Sequence, residues 1–190
     1  IDILIDKGIP VILLNRVRKG CFSIISDANA ELDEPISFLH RFGHRRIAFL
    51  NRVFGCQTHD RRKDGYLNAV SRYQLDDAPG LYAESELDEL FQRLSDIMAQ
   101  NPTALIVGGH YLLGGTLNFC RKNKIRLPED LSLISINDGF MAKSYTTPVS
   151  VFTEPREQVG QLAVQMLECV TAKRKQESII TVKGELIIRK

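Results

Sequence analysis

The chain has 190 residues, 44% of them hydrophobic, and a formal net charge of +2, enough for one good core or for two small lobes sharing crossovers. No apolar run approaches the roughly 20 residues that cross a bilayer, no secretory leader pattern opens the chain, and no basic face is concentrated enough to grip phosphates. Neither a membrane role nor strong nucleic-acid binding is therefore expected of this segment.

Taken in chain order, residues 1–7 read as the last turns of a helix closed by Gly8, so the sequence is expected to begin partway through a domain. Short apolar runs at 11–14 and 22–26, bounded by Pro10, Gly20 and Asp27, predict strands. A helix follows over 29–42, with Leu32, Ile36 and Leu39 on one face and Gly43 at its end; Pro35 inside it is expected to delay its start to about Asp33. Residues 46–50 form the next strand. The spacing then predicts a helix over 59–73 with Tyr66, Leu67, Ala69 and Val70 inward, and another over 86–100 with Leu87, Leu90, Leu94 and Ile97 inward. A strand at 104–107 and a helix at 111–123 continue the alternation.

The stretch from Arg126 to Asp138 carries the most information. Pro128 cannot continue a helix; Leu131, Leu133, Ile134 and Ile136 supply a buried run; and Asn137 and Asp138 emerge at the strand's carboxyl end, where open α/β sheets bind ligands. An irregular segment through Pro148, a strand at 149–153 and a helix opening at Pro155 follow, the helix with Val159, Leu162, Ala163, Met166 and Leu167 inward. Residues 173–178 read as a solvated connection. Alternation on this scale predicts an α/β fold with mostly parallel, doubly wound sheets.

Searches for chemistry return little. His40 and His44 have the spacing of two zinc ligands, yet Gly43 ends the helix between them and no glutamate follows His40 as a general base would. Gly108, Gly109, Gly114 and Gly115 fit neither phosphate-cradling pattern, and Cys56 near His59 is too slight a basis for a nucleophile. Cys21, Cys56, Cys120 and Cys169 lie far apart, which suits reduced thiols packed in a cytoplasmic protein. No metal and no cofactor is expected, and an enzyme is the least favoured class.

Several segments fall in a familiar order: Gly8-Ile-Pro-Val-Ile-Leu-Leu-Asn15, Gly43-His-Arg-Arg-Ile-Ala-Phe49, Arg62-Lys-Asp-Gly-Tyr66, Pro102-Thr-Ala-Leu-Ile-Val107, Leu127-Pro-Glu-Asp-Leu-Ser-Leu-Ile-Ser135 and Gly184-Glu-Leu-Ile-Ile-Arg189. In that order they resemble the LacI/GalR-type (lactose-repressor) family of bacterial transcription regulators. The resemblance implies a periplasmic-binding-protein-like core of two α/β lobes joined by three crossovers, with a small-molecule effector between them. It assigns residues 1–27 and 153–177 to an incomplete N-terminal lobe, and 28–152 with 178–190 to the C-terminal lobe. The DNA-reading head, hinge helix and first strands of such a regulator are expected outside this sequence. The implied partners are an effector, a sugar or related metabolite; operator DNA, through that head; and a second copy in a homodimer, part of the helix from Pro155 facing the partner. The alternative is a transport receptor of the same fold.

Six residues are candidates for ligand contact. Arg62 lies in the family's arginine-x-x-glycine-aromatic pattern, where its planar fork suits ligand hydroxyls or a carboxylate; the other reading pairs it with Asp60 or Asp64 at the surface. Arg61 points roughly 100° away on a helix, so a shift of one residue would exchange the two. If Arg62 binds ligand, Arg62→Ala is expected to cost binding about 2 kcal/mol with little loss of fold stability. Thr58 is read as a loop residue before that helix, as cap or as hydroxyl donor, and Asp27 either caps the helix after it or binds ligand. Asn137 stands where sugar- or nucleobase-binding relatives commonly present an aspartate, so its carboxamide changes the hydrogen-bond pattern asked of the ligand. Asp138, its neighbour, and His110, at a helix N-terminus, complete the set; His110 has a packing role as its alternative.

Overall fold

The computed structural model describes residues 1–52, 57–75, 81–83, 87–144, 146 and 148–189, with 81–83, 87 and 88 described by backbone alone. The elements are α1 (Asp2–Asp6), β1 (Ile12–Leu14), β2 (Phe22–Ser26), α2 (Ala28–Arg41), β3 (Ile47–Arg52), α3 (Gln57–Tyr73), β4 (Leu81–Ala83), α4 (Leu87–Ala99), β5 (Ala104–Val107), α5 (His110–Lys122), β6 (Ser132–Ile136), α6 (Phe140–Ser144), β7 (Ser150–Thr153), α7 (Arg156–Thr171), β8 (Ile179–Val182) and β9 (Glu185–Ile187). They divide into two compact units, residues 1–27 with 154–184 and residues 28–153 with 185–190. Among the described residues no helix is long and apolar enough to cross a membrane.

The first unit is a three-stranded parallel sheet in the order β1-β2-β8. Ile24 and Val182 from adjacent strands meet Met166 of α7, with Phe22, Val159, Leu162 and Ala163 half-buried around them. Placing β8 here corrects the expectation that residues 178–190 stay together: β8 pairs with β2, while β9 pairs with β7 in the other unit. Neither strand's sequence indicates its partner. Leu167, expected inward on α7, is 40% exposed.

The second unit is a six-stranded sheet in the order β4-β3-β5-β6-β7-β9, parallel throughout except for the β7–β9 pair. Side chains on a strand alternate between faces, and here the alternation builds two cores. Ala48, Leu50, Leu105, Val107, Leu133 and Val151 meet Leu90 and Leu94 of α4 and Leu113 and Leu117 of α5. Ile47, Phe49, Ala104, Ile106, Ile134, Ile136 and Phe152 meet Leu32, Ile36 and Leu39 of α2 and Tyr66 and Ala69 of α3. Burial on both faces explains why these strands read as continuous apolar runs.

Helix α2 begins at Ala28 and runs through Pro35, which is buried. Burial of Leu32, Pro35, Ile36 and Leu39 together therefore outweighs the backbone bond that the proline forfeits, and the delayed start expected at Asp33 is not seen. The close approach of α2 to α3 depends on Gly65: a Cβ there would lie 2.7 Å from the Ala28 carbonyl oxygen. On α3 the buried arc is Arg62, Gly65, Tyr66 and Ala69, which leaves Leu67, expected inward, 50% exposed.

Candidate functional site

The carboxyl ends of β3, β5 and β6 lie side by side in the six-stranded sheet, since Leu50 pairs with Val107 and Val107 with Ser135. Parallel sheets place ligands beyond such ends. At β3 the rim carries Asn51 and Arg52; beyond β5 it carries Gly108, Gly109 and the first residues of α5, His110 and Tyr111; beyond β6 it carries Asn137, Asp138 and Gly139. These pieces touch. A Cβ on Gly108 would lie 2.7 Å from Asn51 Oδ1, and one on Gly139 would lie 3.4 Å from the His110 Cβ. The Arg52 guanidinium sits 5.4 Å from the centre of the Tyr111 ring, a cation held over an aromatic face.

Helix α3 is fastened to this rim by its first turn. Asn51 Nδ2 donates to the His59 carbonyl at 2.8 Å. Thr58 is thus a half-buried residue of the first turn of α3, not the loop residue that the sequence predicted. Residues 54–56 of that predicted loop, and with them Cys56, lie outside the described residues. His59 has its pKa lowered, chiefly by burial and then by the Arg62 and Arg52 guanidiniums, against a smaller opposite pull from Asp60. Its Nδ1, like Asn51 Oδ1, is buried with no hydrogen-bond partner among the described residues.

Arg62 is 4% exposed, and its partner is neither Asp60 nor Asp64. Its Nε donates to Glu31 Oε2 at 2.7 Å and its Nη2 reaches Oε1 at 3.5 Å, with Glu31 itself 1% exposed. Glu31 escaped the sequence reading because it lies 31 residues away on another helix. Its only signal is an acid next to Leu32 on the buried side of α2, which needs a partner that sequence does not name.

The remaining candidates fall in different surroundings. Asn137 is half-buried in a left-handed backbone conformation, φ 81°, and its N–H donates to the Phe152 carbonyl at 2.7 Å. His110 is exposed at the start of α5. Asp138 is engaged within the unit: Arg189 Nη2 lies 2.8 Å from one carboxylate oxygen and Lys143 Nζ 3.0 Å from the other. It ties the loop after β6 to the strand-end residues that follow β9. Asp27 belongs to the first unit, where its N–H donates to the Val182 carbonyl at 2.9 Å. His110 and Asn137 thus stand beyond neighbouring strand ends, Thr58 lies in the turn of α3 that Asn51 holds, Arg62 is buried further along α3 against Glu31, and Asp138 is held in ion pairs.

The Asp138 cluster has a measurable consequence. Burial raises its pKa, but hydrogen bonds from Lys143 and Arg189 and the charges of both outweigh that, leaving it below the ordinary 3.8. A depressed folded-state pKa gives stability that is complete above the unfolded value and lost as pH falls through the folded one. Thermal melts from pH 5 down to acid should therefore fall less steeply for Asp138→Asn than for the unaltered chain; parallel curves would remove Asp138 from the acid transition.

The first unit holds a second polar group that sequence reasoning missed. Asn15, just beyond β1 with φ 55°, donates to both oxygens of Glu154 at 3.0 and 3.2 Å. Its Oδ1 accepts from the Ser26 N–H at 2.9 Å and the Ser26 hydroxyl at 2.8 Å, and that hydroxyl also contacts Glu154 Oε1. Away from the rim, His44 is placed between two hydroxyls, Thr103 Oγ1 at 2.9 Å and Ser132 Oγ at 3.1 Å, while His40 stacks beside Tyr73.

The six-stranded sheet is parallel but for one pair, carries helices on both faces and gathers polar side chains at its strand ends. The chain belongs to the periplasmic binding protein-like domain family, whose profile matches residues 36–190. The resemblance to LacI/GalR-type regulators holds among individual relatives. An HTH-type transcriptional repressor PurR of Serratia proteamaculans is 26% identical over 192 residues, covering 97% of this chain and 56% of the relative. A LacI-family regulatory protein of Chloroflexus aggregans shares the fold with a TM-score of 0.86 at 22% identity, over 99% of this chain and 70% of the other. A lac repressor dimer bound to operator and the anti-inducer ONPF does so with a TM-score of 0.84 at 19% identity, over 96% and 65%. The chain spans about half the length of the curated relatives it matches.

Proposed function

We propose that this chain is the effector-binding core of a LacI-type transcriptional regulator. A small polar metabolite, a sugar or a related compound, binds at the rim of the six-stranded sheet. In the complete regulator its binding changes the affinity of a homodimer for operator DNA, which is contacted by a separate head. The observation that supports this reading is that β3, β5 and β6 end side by side in a parallel sheet, where the residues at and beyond those ends include Asn51, His110 and Asn137 and where Asn51 holds the first turn of α3. The relatives add the regulatory half: they are named as repressors rather than as transport receptors or enzymes, and one is a dimer on operator. The chain's lone cysteines, among them the free Cys21, Cys120 and Cys169, suit the cytoplasm where such a regulator works.

Regulation requires that ligand bind one arrangement of the protein better than another, because equal affinity shifts nothing. Melting temperatures should therefore rise with a matching compound in a panel of sugars, sugar derivatives and nucleobases, since a ligand of the native state raises apparent stability with occupancy. Arg62→Lys keeps a charge for Glu31 but removes the planar fork, and should weaken that compound's calorimetric affinity by about tenfold or more. A panel without a single hit, or an affinity indifferent to both Arg62→Lys and Asn137→Asp, would move the site elsewhere. Operator binding by the complete protein with and without the hit tests the coupling.

A further inference from the structure

Strands β3 and β5 are neighbours in the six-stranded sheet, yet the helices that follow them part company: α3 packs on one face of the sheet and α5 on the other. Chains that diverge in this way leave a crevice beyond the strand ends. Helix α5 opens onto it without a side-chain cap. Its N-cap is Gly109, at φ 122°, and no side chain bonds to its first turn there. The first turn of a helix leaves backbone N–H groups without intrahelical partners and carries the positive end of the helix dipole. The approach is open, since a Cβ on Gly109 would meet no atom within 4 Å.

Successive residues of a strand face opposite ways, so the end of β3 sends Asn51 to the α3 side and Arg52 to the α5 side. The Arg52 guanidinium lies over the ring of Tyr111, the second residue of α5, and keeps its full charge because that ring is neutral. The same charge is felt by His59 in the first turn of α3. Asp138 does not reverse the sign, because Arg189 and Lys143 bring two positive charges to its one. Asn51 is 0% exposed, and its Oδ1, set against Gly108, has no hydrogen-bond partner among the described residues. Its Nδ2 is committed to the His59 carbonyl. What remains is a buried acceptor, which only a donor can satisfy.

We infer that this crevice receives an anion that also donates a hydrogen bond: a carboxylate or phosphate group sits at the first turn of α5 beside Arg52, and a hydroxyl or N–H of the same ligand reaches Asn51 Oδ1. This rests on the rim being the effector site, and it narrows the effector to an acidic, hydroxyl-bearing compound. A helix end and a guanidinium both favour negative charge. A neutral sugar answers Asn51 but neither of those.

The smallest matched probes are glycerol, glycerate and glycerol phosphate, titrated into the isotope-labelled chain at ionic strength held constant with potassium chloride. The two anions should shift the amide resonances of His110 and Leu112 and the side-chain amide of Asn51, and glycerol should not. Arg52→Gln should raise the Kd of the anions about tenfold or more, and Arg52→Lys, which keeps the charge, should recover most of that loss. Should Arg52→Gln fail to fold, the salt dependence of the unaltered chain decides, because an anion held by charge loses affinity as potassium chloride rises; a Kd indifferent to salt overturns the inference. Resonances unmoved by either anion, or moved as much by glycerol, overturn it too. A response to one anion alone supports it and identifies the group as carboxylate or as phosphate. A neutral sugar that moves these resonances where no anion does leaves the effector site standing and overturns the inference. Anions that move them, with no compound altering operator binding by the complete protein, leave the anion crevice standing and remove the effector reading.

Discussion

Arg62→Ala is expected to destabilise the second unit by about 3–5 kcal/mol, the usual result of stripping one partner from a buried ion pair. Glu31 is 1% exposed, so its carboxylate cannot recover in water what it loses from the guanidinium. Against a total stability of about 5–15 kcal/mol for a typical domain, that is a large share, and urea midpoints for Arg62→Ala and the unaltered chain would show it directly. Exchanging both members for apolar residues of similar volume, Arg62→Met with Glu31→Leu, should cost much less than Arg62→Ala alone, because no charge is then stranded. Equal losses in the single and double variants would mean that the pair's packing matters and its charge does not. This result reverses the sequence-based expectation that Arg62→Ala would spare the fold, and it is why Arg62→Lys is the better probe of binding.

The difference has a physical source. Periodicity reports which side of an element is buried, and it reports it well here: β2 at Phe22–Ser26 and β5 at Ala104–Val107 stand at their predicted bounds, and α3, α4, α5 and α7 lie within two residues of theirs, while α2 starts five residues before the delayed start expected at Asp33. What periodicity does not report is the partner across a gap in sequence. Glu31 meets Arg62 across two helices, and Asp138 meets Arg189 at a separation of 51 residues. β8 lies next to β9 in sequence but in a different sheet. Short elements were lost for a related reason. β4 has three residues at a sheet edge and α6 has five, too few to show a period. Of the candidate site, strand ends pointed to Asn137 and the arginine-x-x-glycine-aromatic spacing to Arg62 as proposals, whereas Asn51 and His59 come together only through the one side chain that hangs α3 on β3, which no pattern announces.

That same spacing makes Tyr66→Ala the other large expected loss, about 3–5 kcal/mol by analogy with truncation of buried aromatics. Arg62, Gly65 and Tyr66 form one docking surface of α3: the arginine pairs with Glu31 on α2, the glycine lets α3 approach the Ala28 carbonyl, and the tyrosine enters the core at 2% exposure. There its ring lies 5.4 Å from that of Phe49, and its hydroxyl donates to the Ile47 carbonyl at 2.9 Å, the first residue of β3. Truncation to alanine opens a cavity between helix and sheet, whereas Tyr66→Phe removes only one hydrogen bond and should cost about 1 kcal/mol. The two variants also separate fold from the proposed function, because α3 carries Thr58 and His59 in the turn that Asn51 holds, and Arg62 one turn further on. Tyr66→Phe should keep the affinity of whichever compound the panel yields, and Tyr66→Ala, measured at a temperature where it is still folded, should lose affinity as the first turn of α3 loosens from Asn51. If Tyr66→Ala bound that compound as tightly as the unaltered chain, the rim would not depend on how α3 is seated, and His59 and Arg62 would have to be removed from the proposed site.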